Sequence, residues 1–455
     1  MNGPWAVFEG DHPCTDGYVK AIIDGPGSGE PGTVWLDPNE NSWSVSTCLV
    51  NQETQDLEHI GYFRFLPENP VDENDFGPAR PIGYPGQSRY PRGAGIFFPA
   101  WDNGTVEILF VIQWWDEQGE DWDLLIERHL YTPDEFANED WNFPTQQTPA
   151  QFVRFNTEEN EMAPDIAYDP ETGDVYIVYT KEIDPDTSKV YLRWGYRQYA
   201  GNAIQWTHEQ EAQDDTHNGT HPRIDIGRVT IFPFNYENIV AVAYINNEDE
   251  NNFRVHINYW PTSNHSGPFD QFDCQVLDPD HADYPAGFPV VDIGPPGTDI
   301  AALVFMQEVE DQGPTKPEST YIDTRSFQFI HLGDIYNQNT AIAYPSVAVH
   351  DTNGNPFESS VSLLVKDFTS SNNPWHPHAH IVTNNSHVYT QDTITRIDDE
   401  LEIHGYWSLG YALDNDFGIN TSLVVYESSY WLVWSSTFGV DVPETVHGSY
   451  GFLGT

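Results

Sequence analysis

Six residues able to do proton or carboxylate chemistry share one local context in this chain. Arg92, Asp165, His221, Arg223, Asp225 and Tyr344 each stand within three residues of a proline that leads into a short β-run. Guanidinium grips a carboxylate in a two-pronged fork, so Arg92 and Arg223 are candidate binders of an acid such as a uronic or sialic acid. Asp165 or Asp225 would act as general acid or base once burial raised its pKa. His221 with Tyr344 would serve as the proton-abstracting pair of a lyase. The same Arg and Asp residues could instead pair with one another and close a channel structurally. At this point both roles stay open.

Other residues carry weaker signals. Trp114-Trp115 and Tyr406-Trp407 could stack on sugar rings or fill a core. In Trp375-His376-Pro377-His378-Ala379-His380 an extended backbone would set His376, His378 and His380 on one face, a candidate site for Zn2+ or Cu2+. Pro377 and the preceding Ser-Ser-Asn-Asn-Pro stretch argue for a solvated loop instead. Asp351-Thr352-Asn353-Gly354-Asn355, with Glu358 beyond, places oxygen ligands in a turn as Ca2+ sites do, although hairpins favour the same residues. The cofactor expectation is therefore Ca2+ or a His-bound divalent metal, or none. No His-Glu-x-x-His, Gly-x-Ser-x-Gly, P-loop or dinucleotide pattern occurs, which sets those enzyme classes aside.

The elements that must position these residues repeat. Tyr90-Pro91, Ala163-Pro164, His221-Pro222, Phe288-Pro289 and Tyr344-Pro345 each open a run such as Arg223-Ile224-Asp225-Ile226. A polar turn follows, then a second apolar run such as Val175-Tyr176-Ile177-Val178-Tyr179 or Ile239-Val240-Ala241-Val242-Ala243-Tyr244. Unbroken apolar runs of this length are strands buried on both faces. Third runs alternate, as in Val190-Tyr191-Leu192-Arg193-Trp194 and Phe253–Trp260, and predict one wetter face. The five prolines stand 73, 58, 67 and 56 residues apart, and repeats of such a unit mark propeller blades, whose innermost strands line a central channel. The expected fold is all-β, one propeller domain over residues 1–455, with seven blades, or six if the ends combine. Terminal strands close the ring, with Tyr430–Trp434 the candidate closing strand, because an open ring leaves sheet edges exposed. Helix is nearly absent; Thr132–Phe136 could form one short turn of it.

Composition suits that fold: 38% hydrophobic residues, 14% aromatic ones, and 34 Gly with 34 Pro for the turns. Charge is lopsided, 18 Lys+Arg against 71 Asp+Glu, a formal net charge of −53. Such a surface repels nucleic acid and anionic lipid. It fits adaptation to high salt, life at low pH, or a surface that gathers cations. No run reaches the length of a membrane span, so no membrane insertion is expected. Cys14 and Cys48 could bridge in an oxidising compartment, leaving Cys274 free.

The Pro-x-Ile/Val-x-x-Asp strand, turn and Val-Tyr-Ile-Val-Tyr strand, clearest from Asp165 to Tyr179, resemble the sialidase-like superfamily of propellers. The Ser-x-Asp-x-Gly-x-Thr-Trp turn and the Arg-Ile-Pro signature of true sialidases are missing; Phe63-Arg64-Phe65-Leu66-Pro67 is a loose echo of the second. What the resemblance implies is contact with glycans rather than sialidase activity. The first expectation is a secreted or cell-surface propeller that recognises glycan or envelope polysaccharide through its channel face. The alternatives are a hydrolase or lyase acting on an acidic glycan, with Arg92, Arg223, Trp114 and Trp115 as substrate contacts, and a self-assembling structural subunit.

Overall fold

The computed structural model describes 28 strands between residues 32 and 452. It also describes turns at 117–120, 157–159, 172–174 and 185–186 and the positions 169, 203–204, 207, 209, 212–213, 217 and 262. Side chains are described mainly from 88 to 262, and at 82, 289–293, 303, 305 and 347. Expectations for Cys14, Tyr18–Asp24, Thr132–Phe136, Tyr406-Trp407 and Gly410–Asp414 lie outside the described residues.

The strands form seven antiparallel sheets in chain order. The first holds β1 (Gly32–Trp35), β2 (Trp43–Gln52), β3 (Glu58–Pro67) and β4 (Arg80–Ile82). Next come β5 (Ser88–Phe98), β6 (Thr105–Asp116), β7 (Asp121–Tyr131) and β8 (Gln151–Phe155). The third sheet has β9 (Asn160–Tyr168), β10 (Val175–Asp184) and β11 (Thr187–Tyr196), edged by the short β12 (Gln205–Trp206) and β13 (Gln210–Glu211). The fourth has β14 (Asn218–Ile231), β15 (Asn235–Asp249), β16 (Asn252–Pro261) and β17 (Cys274–Val276). The fifth has β18 (Ala286–Ile293), β19 (Ile300–Glu308), β20 (Thr315–Asp323) and β21 (Gln328–Asp334). In the sixth lie β22 (Ile342–Thr352), β23 (Asn355–Lys366), β24 (Trp375–Asn385) and β25 (Val388–Arg396). The last has three strands, β26 (Asp416–Tyr426), β27 (Ser429–Phe438) and β28 (Thr445–Phe452).

First strands of successive sheets neighbour one another, β5 on β9, β9 on β14, β14 on β18, β18 on β22 and β22 on β26. This is a propeller: meandering sheets packed face to face around their innermost strands. The core lies between sheets. Val175, Ile177 and Tyr179 of β10 pack back onto Leu109, Val111, Leu124 and Ile126 of the second sheet. Tyr176 and Val178 of the same strand pack forward onto Val240, Val242 and Tyr244 of the fourth. Ile239, Ala241 and Ala243 meet Val291, Ile293, Leu303 and Phe305 of the fifth. Each such Val, Leu, Ile or Phe side chain contributes roughly 1.5–3 kcal/mol of burial, which is why the second runs read as unbroken hydrophobics.

The hairpin after β9 forms as expected. Gly173 takes φ 72°, open to glycine at no steric cost, and its amide bonds the Asp169 carbonyl at 2.8 Å. Three expectations need correction. Strand β16 has no wet face: residues 254–260 are all buried. Its polar members find partners inside, Asn258 Nδ2 donating to the Ala212 carbonyl at 2.7 Å and His256 lying 3.4 Å from Asn246 Nδ2. The stretch Trp375–His380 is not a loop but part of β24, paired along its length with β23. Pro377 is accommodated there opposite Leu364. Tyr430–Trp434 lies in β27, whose two edges are taken by β26 and β28. A strand hydrogen-bonded on both sides by its sequence neighbours has no edge left for the N-terminal strands. β1 lies beside both β5 and β26, and no hydrogen-bonded strand pair among the described residues joins the first sheet to the last.

Candidate functional site at the proline bulges

All five proline repeats do the same thing to their sheet. Register with the second strand slips between Arg89 and Arg92, Met162 and Asp165, Thr220 and Arg223, Gly287 and Val290, and Ala343 and Ser346. In each, the proline and the residue before it oppose a single partner residue, a β-bulge. Proline has no N–H to offer the ladder, so it is at home where pairing lapses. The described partners are Ile112, Tyr179, Tyr244 and Phe305, all with no exposed surface. Tyr90, Ala163 and His221, immediately before their prolines, have φ of 50°, 48° and 50°. A left-handed backbone at a non-glycine residue costs about 1–3 kcal/mol, and it redirects the side chain.

The bulge amides, out of the ladder, are caught by the preceding sheet. Ala163 N donates to Gln113 Oε1 at 3.0 Å, and His221 N donates to Thr180 Oγ1 at 3.1 Å. Both acceptors sit on second strands, β6 and β10, so one device recurs around the fold.

The redirected side chains converge. The rings of Tyr90, from β5, and His221, from β14, lie 6.2 Å apart at an interplanar angle of 73°. Their strands are separated by β9, whose bulge residue is Ala163. Tyr, Ala, His, Phe and Tyr occupy the five positions before the prolines. Arg92 Nε lies 3.9 Å from Asp165 Oδ1, and their side chains retain only 11% and 15% exposure. Burial and the nearby Arg223 charge bring the Arg92 guanidinium down to about 9, with Asp165 opposing. Burial lowers Arg223 too, against the pull of Asp165 and Tyr90. Dense surroundings, and then Arg223, push His221 down to about 4, so its imidazole is neutral at pH 7. Its Nδ1 has no hydrogen-bond partner among the described residues.

Both candidate aspartates are engaged by backbone. Asp165 Oδ1 accepts from Ile166 N at 3.0 Å, and its Oδ2 accepts from Ile224 N of the next sheet at 3.0 Å. Asp225 Oδ2 accepts from Ile293 N, one sheet further on, at 2.5 Å. Burial raises Asp225 to about 6, partly offset by the Ile293 and Ile226 amides. These two residues staple the third sheet to the fourth and the fourth to the fifth.

The structure thus brings Arg92, Asp165, His221 and Arg223 together, with Asp225 one staple further on. Tyr344 occupies the bulge of β22, but its side chain lies outside the described residues. So do the side chains of His376, His378 and His380, which sit at alternate positions of β24, and that of Glu358. Trp114 is stacked under the Arg154 guanidinium, 4.7 Å from its ring centroid, and Trp115 meets Trp122 edge-on at 5.3 Å. Neither presents a bare face on that side. Sequence reasoning missed Tyr90. Its signal was available, since it precedes a repeat proline as His221 does.

No protein-family model matches this chain, and no curated protein sequence does either. Among solved structures, the polysaccharide lyase Uly1 superposes with a TM-score of 0.51 at 6% identity, over 96% of this chain and 93% of that one. A Trypanosoma rangeli sialidase in complex with the inhibitor DANA gives 0.45 at 9% identity, covering 84% of this chain; the match spans only 57% of the sialidase. The β-propeller domain of the Trilobed protease from Pyrococcus furiosus gives 0.44 at 10% identity, over 94% and 98%. The likeness to Uly1 is therefore one of fold. At such identities it does not extend to activity.

Proposed function

We propose that this protein is a glycan-directed propeller whose proline-bulge cluster binds the carboxylate of an acidic polysaccharide and cleaves the chain by β-elimination. The observation that carries this is the meeting of Tyr90 and His221 beside two desolvated guanidiniums, Arg92 and Arg223. Asp165 offsets one of these two like charges, and a bound substrate carboxylate would balance the other while accepting forked hydrogen bonds. Arginine-bound carboxylate also stabilises the carbanion formed when the proton α to it leaves, as a preorganised electrostatic site does. Neutral His221 takes that proton. The electrons of the broken C–H bond form the C=C bond, and the C–O bond to the leaving sugar breaks. The Tyr90 hydroxyl protonates the departing oxygen, and the imidazolium returns a proton to Tyr90. A weak base such as His221 depends on strong carbanion stabilisation, which the arginine pair supplies.

Elimination is favoured over the common form of glycoside hydrolysis, which uses two carboxyl groups flanking the scissile bond. Asp165 and Asp225 are already held by backbone amides. The same proposal reads the fold as one closed seven-bladed ring; seven sheets in chain order and β1 beside β26 support this. It places the protein outside the cell or on its surface, where polymeric glycans are met, and a surface of −53 charge fits a saline medium.

The test is an array of uronic-acid-containing and neutral polysaccharides, read for binding and for ultraviolet-absorbing unsaturated ends. Unsaturated products that disappear in His221→Asn and Tyr90→Phe, with binding weakened in Arg223→Ala, bear the proposal out. Binding without products would make the protein a lectin. New reducing ends without unsaturation would mean hydrolysis, and no binding at any salt concentration would overturn the glycan reading.

A further inference from the structure

The β6–β7 hairpin gathers three carboxylates away from the bulge cluster. Asp116 ends β6 and stands opposite Asp121, which begins β7, while Asp123 follows two residues on and so shares the face of Asp121. Each offers an oxygen within 4.8 Å of the others, and all three residues are buried. Arg154 of β8 is the cation beside them. Its Nε and Nη2 donate to Asp123 Oδ2 at 2.7 and 2.5 Å, Nη2 also pairs with Asp116, and the guanidinium is backed by Trp114. The two oxygens of Asp116 further accept the Gln118 and Gly119 amides, both at 2.9 Å.

Two oxygens are left over. Asp121 Oδ1 and Asp123 Oδ1 have no hydrogen-bond partner among the described residues, although Asp121 is 8% exposed and Asp123 not at all. A buried carboxylate oxygen without a donor is costly, and such orphans need a reason. The charges do not balance either, since three carboxylates face one guanidinium. We infer that this pocket is a divalent-cation site, with Asp121 and Asp123 supplying the direct ligands and Asp116 the third carboxylate. A charge of +2 cancels the remaining −2. Oxygen-only donors select a hard cation, Ca2+ before Zn2+, with water completing the larger coordination shell. The Trp122 amide next to it donates to Asn160 Oδ1 at 3.0 Å, at the start of β9. An ion here would therefore tie the hairpin to β8 and steady the strand that carries Ala163 and Asp165.

The experiment is Tb3+ titration of the full chain after chelator treatment, read by emission sensitised through the neighbouring Trp114, Trp115 and Trp122, then displacement by Ca2+. A saturable component is expected that Ca2+ removes and that Asp121→Asn weakens at least about tenfold, as losing a direct charged ligand should. Glu117→Gln, an exposed acid in the same turn, deletes the same charge and should leave that component intact. Equal effects of the two variants would show diffuse attraction to an acidic surface and overturn the site. So would the absence of any saturable component, which would mean that Arg154 alone neutralises the pocket. A thermal melt of each variant guards against misfolding: Ca2+ should raise the midpoint of the wild type and of Glu117→Gln, and not that of Asp121→Asn.

Discussion

His221→Asn isolates one consequence of placing an imidazole beside Arg223. In the unfolded chain this histidine titrates near 6.5, and in the fold near 4. Above about pH 6.5 it is neutral in both states and costs nothing. As pH falls from there, the unfolded state takes up a proton that the folded state refuses, and stability drops. The loss saturates near pH 4, at about 3 kcal/mol. Asparagine does not titrate and tolerates the left-handed backbone held at φ 50°. It forfeits the edge-on contact with Tyr90, worth about 0.5–1.5 kcal/mol at every pH. Urea unfolding of both proteins from about pH 7.5 down to about pH 4 gives a difference curve from which shared carboxylate titrations cancel. The wild type should lose about 3 kcal/mol relative to the variant across that range, nearly all of it below about pH 6.5. A flat difference curve would mean that His221 keeps an ordinary imidazole pKa in the fold and would refute the desolvated setting assigned to it. A slope of the opposite sign would mean that His221 is protonated in the fold, and the neutral-base role would then fail.

Asp165→Asn should destabilise the protein by about 1–3 kcal/mol in chemical denaturation, because an amide accepts with one oxygen where the carboxylate takes two backbone amides and faces Arg92. Gly227→Ala should cost about 1–3 kcal/mol, since a Cβ there would come within 2.2 Å of Ile293 Cγ2 and 2.7 Å of its Cβ. Adding Ile293→Ala should cost less in that background than alone, a coupling that thermal melts of the four proteins would measure. The net charge of −53 predicts a melting temperature that climbs with sodium chloride well beyond ~0.1 M, where screening reaches ~10 Å; a melt insensitive to salt would exclude surface repulsion as a factor.

The repeat was legible because its causes are local. Proline cannot donate to a ladder, so Pro91, Pro164, Pro222, Pro289 and Pro345 mark the same lapse of pairing wherever they occur. A strand sandwiched between two sheets must be apolar on both faces, so Val175–Tyr179 and Ile239–Tyr244 declare themselves. Those two facts were enough for an all-β propeller and for Arg92, Asp165, His221 and Arg223 as neighbours. The wet face expected of β16 failed because Asn258 is satisfied by Ala212, a residue 46 positions away that no periodicity reveals. The strand conformation of Trp375–His380 came from pairing with β23, which overrides the local bias of proline and asparagine.

What the sequence determined, then, was the spacing of bulges and the residue type standing at each. Only the tertiary structure decided that Tyr90 and His221 meet although β9 neighbours both their strands, because that depends on how consecutive sheets turn about their inner strands. It also decided that Asp116, Asp121 and Asp123 are buried together, although Asp-Glu-Gln-Gly-Glu-Asp reads as an ordinary solvated turn. Composition sets how polar a turn is. Whether water reaches it depends on the neighbouring strand that covers it, here β8 with Arg154.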